Sequence, residues 1–120
     1  PPPPPLMASV ELPLFVHWEK TLSDIFSRTE KFPKRVRFTF SSRIDNLALD
    51  ILEKIVEARY AKDKSAALAH ASLSLEKLRV LLRISHEERY LDHRGFEHMA
   101  RSIDEAGRML GGWIRSRSAP

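Results

Sequence analysis

Apolar residues recur at alternating steps of three and four along four segments of this 120-residue chain, and no other feature of the sequence constrains the fold as strongly. This spacing places the apolar side chains along one face of an α-helix, whereas a half-buried strand would alternate every second residue. The sequence contains no strand-like alternation of useful length. Because amphipathic helices bury their apolar faces by packing against one another, the pattern predicts an all-α fold.

Local signals mark the boundaries of the four segments. The first helix is expected over about residues 12–28, and Pro33 marks the break after it, because the residue before a proline disfavours the helical backbone. Pro33 itself suits the first turn of a second helix that would run to about residue 61 and be ~42 Å long. Asp63 is a candidate N-cap for the third helix. The charged stretch 85–95 predicts the turn before the fourth helix, whose apolar stripe is Met99, Ile103, Ala106, Leu110 and Trp113.

Short connections make neighbouring helices run antiparallel, so the sequence predicts an up-and-down four-helix bundle over residues 11–117. Residues 1–10 open with five prolines and are expected to form a disordered N-terminus. The apolar stripes of the second and third helices are wider than one bundle seam requires. Because a surplus apolar face normally has a partner, the sequence also predicts a homo-oligomer.

The composition indicates in which cellular compartment the protein works. The chain has no cysteine, which excludes disulfides and thiolate zinc sites and is typical of a reducing interior. No apolar run approaches the ~18 residues that a membrane helix requires, and the N-terminus lacks the basic start and apolar core of a signal peptide. We therefore expect a soluble cytoplasmic protein with no membrane partner.

The residue types that carry most enzyme chemistry form no catalytic or metal-binding pattern in this sequence. No two of the five histidines lie three or four residues apart, as ligands on one helix would. Glu53 and Glu57 lie one turn apart, but surface ion pairs explain them within a mixed-charge face. Gly111-Gly112 lacks the spacing of a phosphate loop and indicates a helix end or a close helix crossing. The sequence thus predicts no enzyme activity, no metal, no cofactor and no small-molecule substrate.

Basic residues give the chain a net charge of +4, and they are clustered. The stretches 31–43 and 106–120 contain eight of the twenty basic residues and no acidic residue, and a further arginine pair lies one helical turn apart. Such clusters bind phosphates without a sequence code, whereas a solvated charged rim would have the same composition, so both interpretations stay open. The candidate binding residues are Lys34, Arg35, Arg37, Arg79, Arg83, Arg108 and Arg115.

Four blocks of the sequence resemble the accessory variability determinant (Avd) proteins of diversity-generating retroelements. The blocks are Phe32-Pro33-Lys34-Arg35 followed by Arg37-Phe38, then Glu57-Ala58-Arg59-Tyr60, then Leu78-Arg79 with Leu81-Leu82-Arg83, and Gly107 to Ile114. The resemblance spans roughly residues 12–117. The wider relatives are the four-helix-bundle proteins encoded in ribosomal RNA intervening sequences, and the Gly-Gly-Trp-Ile ending of the last block favours the Avd branch.

This resemblance implies a non-enzymatic partner of a reverse transcriptase. Avd proteins form a basic, barrel-shaped homopentamer of four-helix bundles that associates with the reverse transcriptase and with nucleic acid (RNA or cDNA) during mutagenic retrohoming. It also implies that the seven candidate residues contribute to the basic surface. The alternative is a bundle of the ribosomal RNA intervening-sequence type, which would be a structural or protein-interaction module without nucleic-acid binding.

Overall fold

The computed structural model describes residues 11–118. The α-helices in this part of the chain are α1 (Glu11–Thr29), α2 (Ser42–Tyr60), α3 (Ser65–Glu87) and α4 (His93–Ser118). A 3₁₀ turn at Lys34–Val36 and a π-helical turn at Arg37–Ser41 lead into α2. The described residues contain no strand, which confirms the predicted all-α four-helix bundle. The proline-rich start, residues 1–10, lies outside the described residues.

Each helix packs against two neighbours, since α2 contacts α1 and α3, and α4 contacts α3 and α1. The connections at 61–64 and 88–92 are short, so the helices that they join run antiparallel. His17 links α1 to α4 by donating from Nε2 to the Ser102 carbonyl at 2.8 Å. The bundle is a rod with principal extents of 48 × 23 × 22 Å. No helix within residues 11–118 is long and apolar enough to cross a membrane.

Trp18 lies in the middle of the core and is fully buried. Its indole N–H donates to the Ala48 carbonyl of α2 at 2.9 Å, so the one polar atom of the ring has a partner in the apolar interior. The predicted stripe of α4 is buried along its whole length. The other helices contribute Leu14, Ile25, Ile44, Ile51, Ile55, Leu68, Leu75, Leu78 and Leu82 to the same core.

The start of α2 is irregular where the sequence predicts one continuous helix. Residues 37–41 form one wide turn, because the N–H of Ser42 donates to the carbonyl of Arg37, five residues earlier. Buried positions repeat every three or four residues from α2 back to Ser41, whereas the next buried residue is Val36, five residues earlier. A regular helix continued backward would place Arg37 on the buried face. The extra residue places Val36 there instead and turns Arg37 into solvent.

Side-chain carboxylates hold the two short turns. Asp92 accepts the Gly95 N–H at 2.7 Å and so caps the first turn of α4, which the sequence patterns do not predict. Arg89 ends α3 in the left-handed conformation, with φ of 66°. Asp63 accepts the Ser65 N–H at 2.9 Å, but α3 begins at Ser65 and its N-cap is Lys64, so the predicted N-cap, Asp63, lies one residue too early. This backbone hydrogen bond lowers the pKa of the Asp63 carboxyl.

Thr29 connects the end of α1 to α2. Its hydroxyl donates to Asp45 Oδ1 at 2.7 Å. Burial raises the pKa of the Asp45 carboxyl, and the hydrogen bond from Thr29 lowers it by a smaller amount. The ionised carboxylate is therefore less favourable in the folded chain than in the unfolded chain.

We expect Asp92→Ala to lower the free energy of unfolding by about 1 kcal/mol, because the Gly95 N–H loses its partner at the start of α4. Asp92→Asn is the matched control, since its amide oxygen retains the cap. Urea unfolding followed by circular dichroism measures both variants. An alanine variant as stable as the wild type would contradict the capping role.

We expect Asp45→Asn to be more stable than the wild type at neutral pH, because asparagine accepts the Thr29 hydroxyl without burying a charge. The raised pKa means that the wild-type carboxyl is ionised at a cost above that pKa and neutral below it. The advantage of the variant should therefore disappear as the pH falls through the pKa of Asp45. Urea unfolding at neutral and acidic pH gives the difference, and an advantage that grows at low pH would contradict the burial effect.

Candidate nucleic-acid interface

The structure spreads the seven predicted cations along the rod, and most of them lie towards its two ends. The turns before α2 lie beside the last turns of α3 because these helices are antiparallel, so the cations of residues 34–37 lie at the same end as Arg83. Arg115 is in the last turn of α4 at the opposite end, about 33 Å from the start of that helix. We call the first region the basic end and define it as Lys34, Arg35, Arg37, Arg43 and Arg83.

Arg79 lies between the two regions and is held by acidic side chains. Its Nη1 donates to Asp104 Oδ1 on α4, and its Nε lies 3.4 Å from Glu76 Oε1 on its own helix. The hydrogen bond to Asp104 is the main reason that the pKa of Arg79 is raised. Arg79 therefore bridges α3 to α4, and two carboxylates compensate its charge.

Arg108 is also paired. Its Nε donates to Glu105 Oε2 at 3.1 Å, and its Nη2 donates to the other oxygen of the same carboxylate. The two-pronged contact lowers the pKa of Glu105 and raises the pKa of Arg108. Because Arg108 is exposed and Glu105 is partly exposed, the pair contributes little to stability, but it reduces the charge available to a phosphate.

The other five predicted cations are exposed, and within residues 11–118 none of them forms an ion pair with a carboxylate. Arg35 has a different partner, because its Cζ lies 5.4 Å from the centre of the Tyr90 ring. Tyr90 in turn packs against Phe32 and Phe40, with ring centres 5.9 and 5.5 Å apart. The guanidinium of Arg35 is thus placed on an aromatic cluster that caps the basic end.

The Gly111-Gly112 pair lies inside α4 and is neither a helix end nor a close helix crossing. A Cβ at Gly111 would lie 3.2 Å from Nη1 of Arg115, and among the described residues a Cβ at Gly112 would also meet Arg115 alone, at 4.0 Å from its Nη2. The two glycines leave room for the Arg115 side chain to fold back along its own helix. The glycines thus make space for the side chain of Arg115, a role that the sequence patterns do not predict.

Two residues in or beside the basic end, Arg43 and Phe38, are missing from the predicted set. Arg43 is exposed and lines a groove of about 220 Å³ together with Phe40 and with Leu81 of α3. Phe38 lines the same groove and is 87% exposed. Arg43 could have been predicted from the sequence, because it belongs to the acid-free basic stretch 31–43. The exposure of Phe38 depends on the register of the π-helical turn, which the apolar spacing does not reveal.

A second groove of about 260 Å³ runs between α3 and α4. Its floor is apolar and is formed by side chains that include Val80, Phe96 and Ala100, and Arg83 stands at its rim. Within residues 11–118, no three histidine or carboxylate side chains are placed to hold one metal ion. The histidines of α4 instead pair singly with carboxylates, as in His98 Nε2 at 3.0 Å from Asp24 Oδ2.

Comparison with known proteins agrees with these features. The search of curated proteins returns no match. The family model described as bAvd-like matches residues 15–117, which include all four helices and each of the seven predicted cations. A match over most of the chain establishes the relationship, and the chain belongs to the bAvd-like family.

Proposed function

We propose that this chain is the non-enzymatic accessory protein of a diversity-generating retroelement, and that it acts in the cytoplasm. It binds the reverse transcriptase and nucleic acid (RNA or cDNA) as an oligomeric adaptor for mutagenic retrohoming. The observation that carries this proposal is the match to the bAvd-like family, which is a family of non-catalytic accessory proteins. In this role the polymerase chemistry belongs to the partner, and the adaptor positions the nucleic acid.

The unpaired cations support the binding of phosphates. Lys34, Arg37, Arg83 and Arg115 are exposed and have no carboxylate partner within the described residues, so a phosphate would not have to displace an acid from them. Arg79 and Arg108 would each have to leave a carboxylate first. Phosphate contacts therefore concentrate at the basic end and at the last turn of α4.

The groove between α3 and α4 supports the binding of a protein partner. Its apolar floor suits an apolar side chain of the reverse transcriptase, and Arg83 at its rim suits a carboxylate beside that side chain. Arg83 then serves both ligands, because the groove and the basic end meet at this residue.

Exposed apolar residues support a homo-oligomer, and the resemblance to Avd proteins supports five subunits. On α1, Leu12 and Val16 are 45% and 55% exposed and share an outward stripe with Glu19. On α3, Leu73 and Val80 are 57% and 42% exposed and share an outward stripe with Lys77, which lies one turn after Leu73. Each of these helices packs on α2 and α4, so the two stripes lie on opposite sides of the bundle.

The two stripes are both apolar and face opposite ways, so the α1 stripe of one copy can pack on the α3 stripe of the next. Contact between unlike faces of successive copies is heterologous, and such contacts close into a ring when the rotation allows it. A ring would repeat the basic end once per subunit and let one strand touch several copies.

We expect single-stranded RNA to bind with a strong salt dependence. Arg37→Gln combined with Arg83→Gln should reduce the slope of log affinity against log salt by about 1.4, since each phosphate contact on a single strand contributes ~0.7. Arg108→Gln is the matched control, because Glu105 already compensates that charge, and it should leave the slope nearly unchanged. Fluorescence anisotropy across a salt series measures the slopes.

A wild-type affinity for RNA that does not change with salt concentration would overturn the phosphate interpretation. It would favour the structural, protein-interaction bundle of the ribosomal RNA intervening-sequence type. Equal effects of the double variant and Arg108→Gln would overturn the distinction between free and paired cations.

We expect the purified protein to be a homopentamer in multi-angle light scattering. Val16→Asp on α1 or Leu73→Asp on α3 should each reduce the mass towards that of one 13.8 kDa chain, because either places a carboxylate in an apolar contact. Arg101→Asp, an exposed substitution on α4 outside both stripes, should leave the mass unchanged. A wild-type monomer would contradict the oligomer, and a dimer or tetramer would contradict the number five.

A further inference from the structure

Phe38 is the most exposed large apolar side chain among the described residues, at 87%. The other strongly exposed apolar side chains lie on regular helices, whereas Phe38 lies in the π-helical turn that turns it away from the core. A single apolar residue on a surface needs no special explanation. The reason to assign a ligand to Phe38 is the arrangement of the groups on either side of its ring.

The ring of Phe38 separates two grooves. On the α1 side, a groove of about 370 Å³ is lined by Phe26 and Arg37 but also by the carboxylates of Glu30 and Asp45. On the α3 side, the groove of about 220 Å³ is lined by Thr39, Phe40, Arg43 and Leu81 and by no carboxylate. The α3 side therefore combines an apolar floor with positive charge alone, whereas the α1 side sets two carboxylates beside its one arginine.

A further cation lies close to the α3-side groove. Phe40 of that groove packs edge-on against Tyr90, and Tyr90 carries the guanidinium of Arg35 on its face. Arg83 is two residues after Leu81 and so lies on another face of α3, where it lines the groove towards α4. The flat exposed ring of Phe38 thus borders an apolar floor with Arg43 in it and Arg35 beyond Tyr90, which is a combination that holds an unpaired base and its flanking phosphates.

We propose that Phe38 is a base-stacking platform for single-stranded nucleic acid. An unpaired base lies on the Phe38 ring over the α3-side groove, and the flanking phosphates pair with Arg43 and with the other cations of the basic end. This inference rests on the proposed function, because it assumes that the basic end binds nucleic acid, and it adds a preference for one form of that ligand. Bases in a duplex already stack on one another, so the ring contributes only to a single strand.

The test compares a labelled, uridine-rich single-stranded RNA with an RNA duplex of the same length on full-length protein. Phe38→Ala should weaken single-strand binding about fivefold or more, the low end of what alanine substitution costs a stacked base. It should leave duplex affinity and the salt slope unchanged, because no phosphate contact is lost. Phe38→Trp should restore single-strand binding, since the indole also stacks.

Phe26→Ala is the matched control, because Phe26 is a partly exposed phenylalanine on the acidic side of the same ridge. It should leave both affinities unchanged. In Phe38→Trp, the tryptophan emission should fall when the single strand is added, because the two native tryptophans are buried and do not contact the ligand. Circular dichroism confirms that every variant is helical.

The outcomes separate this inference from the proposed function. Wild-type protein that shows no salt-dependent binding to either RNA overturns the proposed function and the stacking platform together. Salt-dependent wild-type binding with an unchanged single-strand affinity in Phe38→Ala overturns the platform alone. A lower oligomer mass or weaker reverse-transcriptase capture in Phe38→Ala, with unchanged RNA binding, assigns Phe38 to a protein contact and also overturns the platform.

Discussion

Burial of one apolar stripe on each helix holds this bundle together, and it keeps the predicted cations at the surface. Trp18 shows how strict the requirement is, because its ring is fully buried and its N–H still reaches a backbone carbonyl on the neighbouring helix. A cation cannot share such an interior without a partner. The π-helical turn before α2 satisfies this constraint locally, since one extra residue brings Val36 to the core and moves Arg37 out of it.

The same packing divides the cations into structural and available ones. Arg79 crosses from α3 to Asp104 on α4, so part of the basic composition is used to join helices. Arg108 is compensated by Glu105 within one turn of its own helix. Arg83 lies only one turn from Arg79 but has no carboxylate partner within the described residues, because α4 places an acid opposite one arginine and apolar side chains opposite the other. The net charge alone therefore overstates the number of cations that are available to bind a phosphate.

The bundle has two kinds of unused surface, and they suit two kinds of partner. The outward stripes of α1 and α3 are apolar and lie on opposite sides of the bundle, which suits contact between unlike faces of successive copies. The basic end combines free cations with an exposed aromatic ring, which favours a flexible polyanion that carries flat bases. The two surfaces meet on α3, where Val80 of the outward stripe and Arg83 of the basic end line the same groove.

The amino-acid sequence by itself determines the four helices, their order and most of the core, because apolar spacing of three and four has one favourable solution in a chain of this length. The four sequence blocks also identify the family correctly. The sequence does not determine the irregular start of α2, the Asp92 cap, or which cations are free. Each of these depends on a hydrogen bond, a single-residue shift in register or a carboxylate brought across from another helix. Arg79 and Arg83 are equivalent in the sequence pattern and differ in the structure, because only tertiary packing brings Asp104 to Arg79, 25 residues away along the chain.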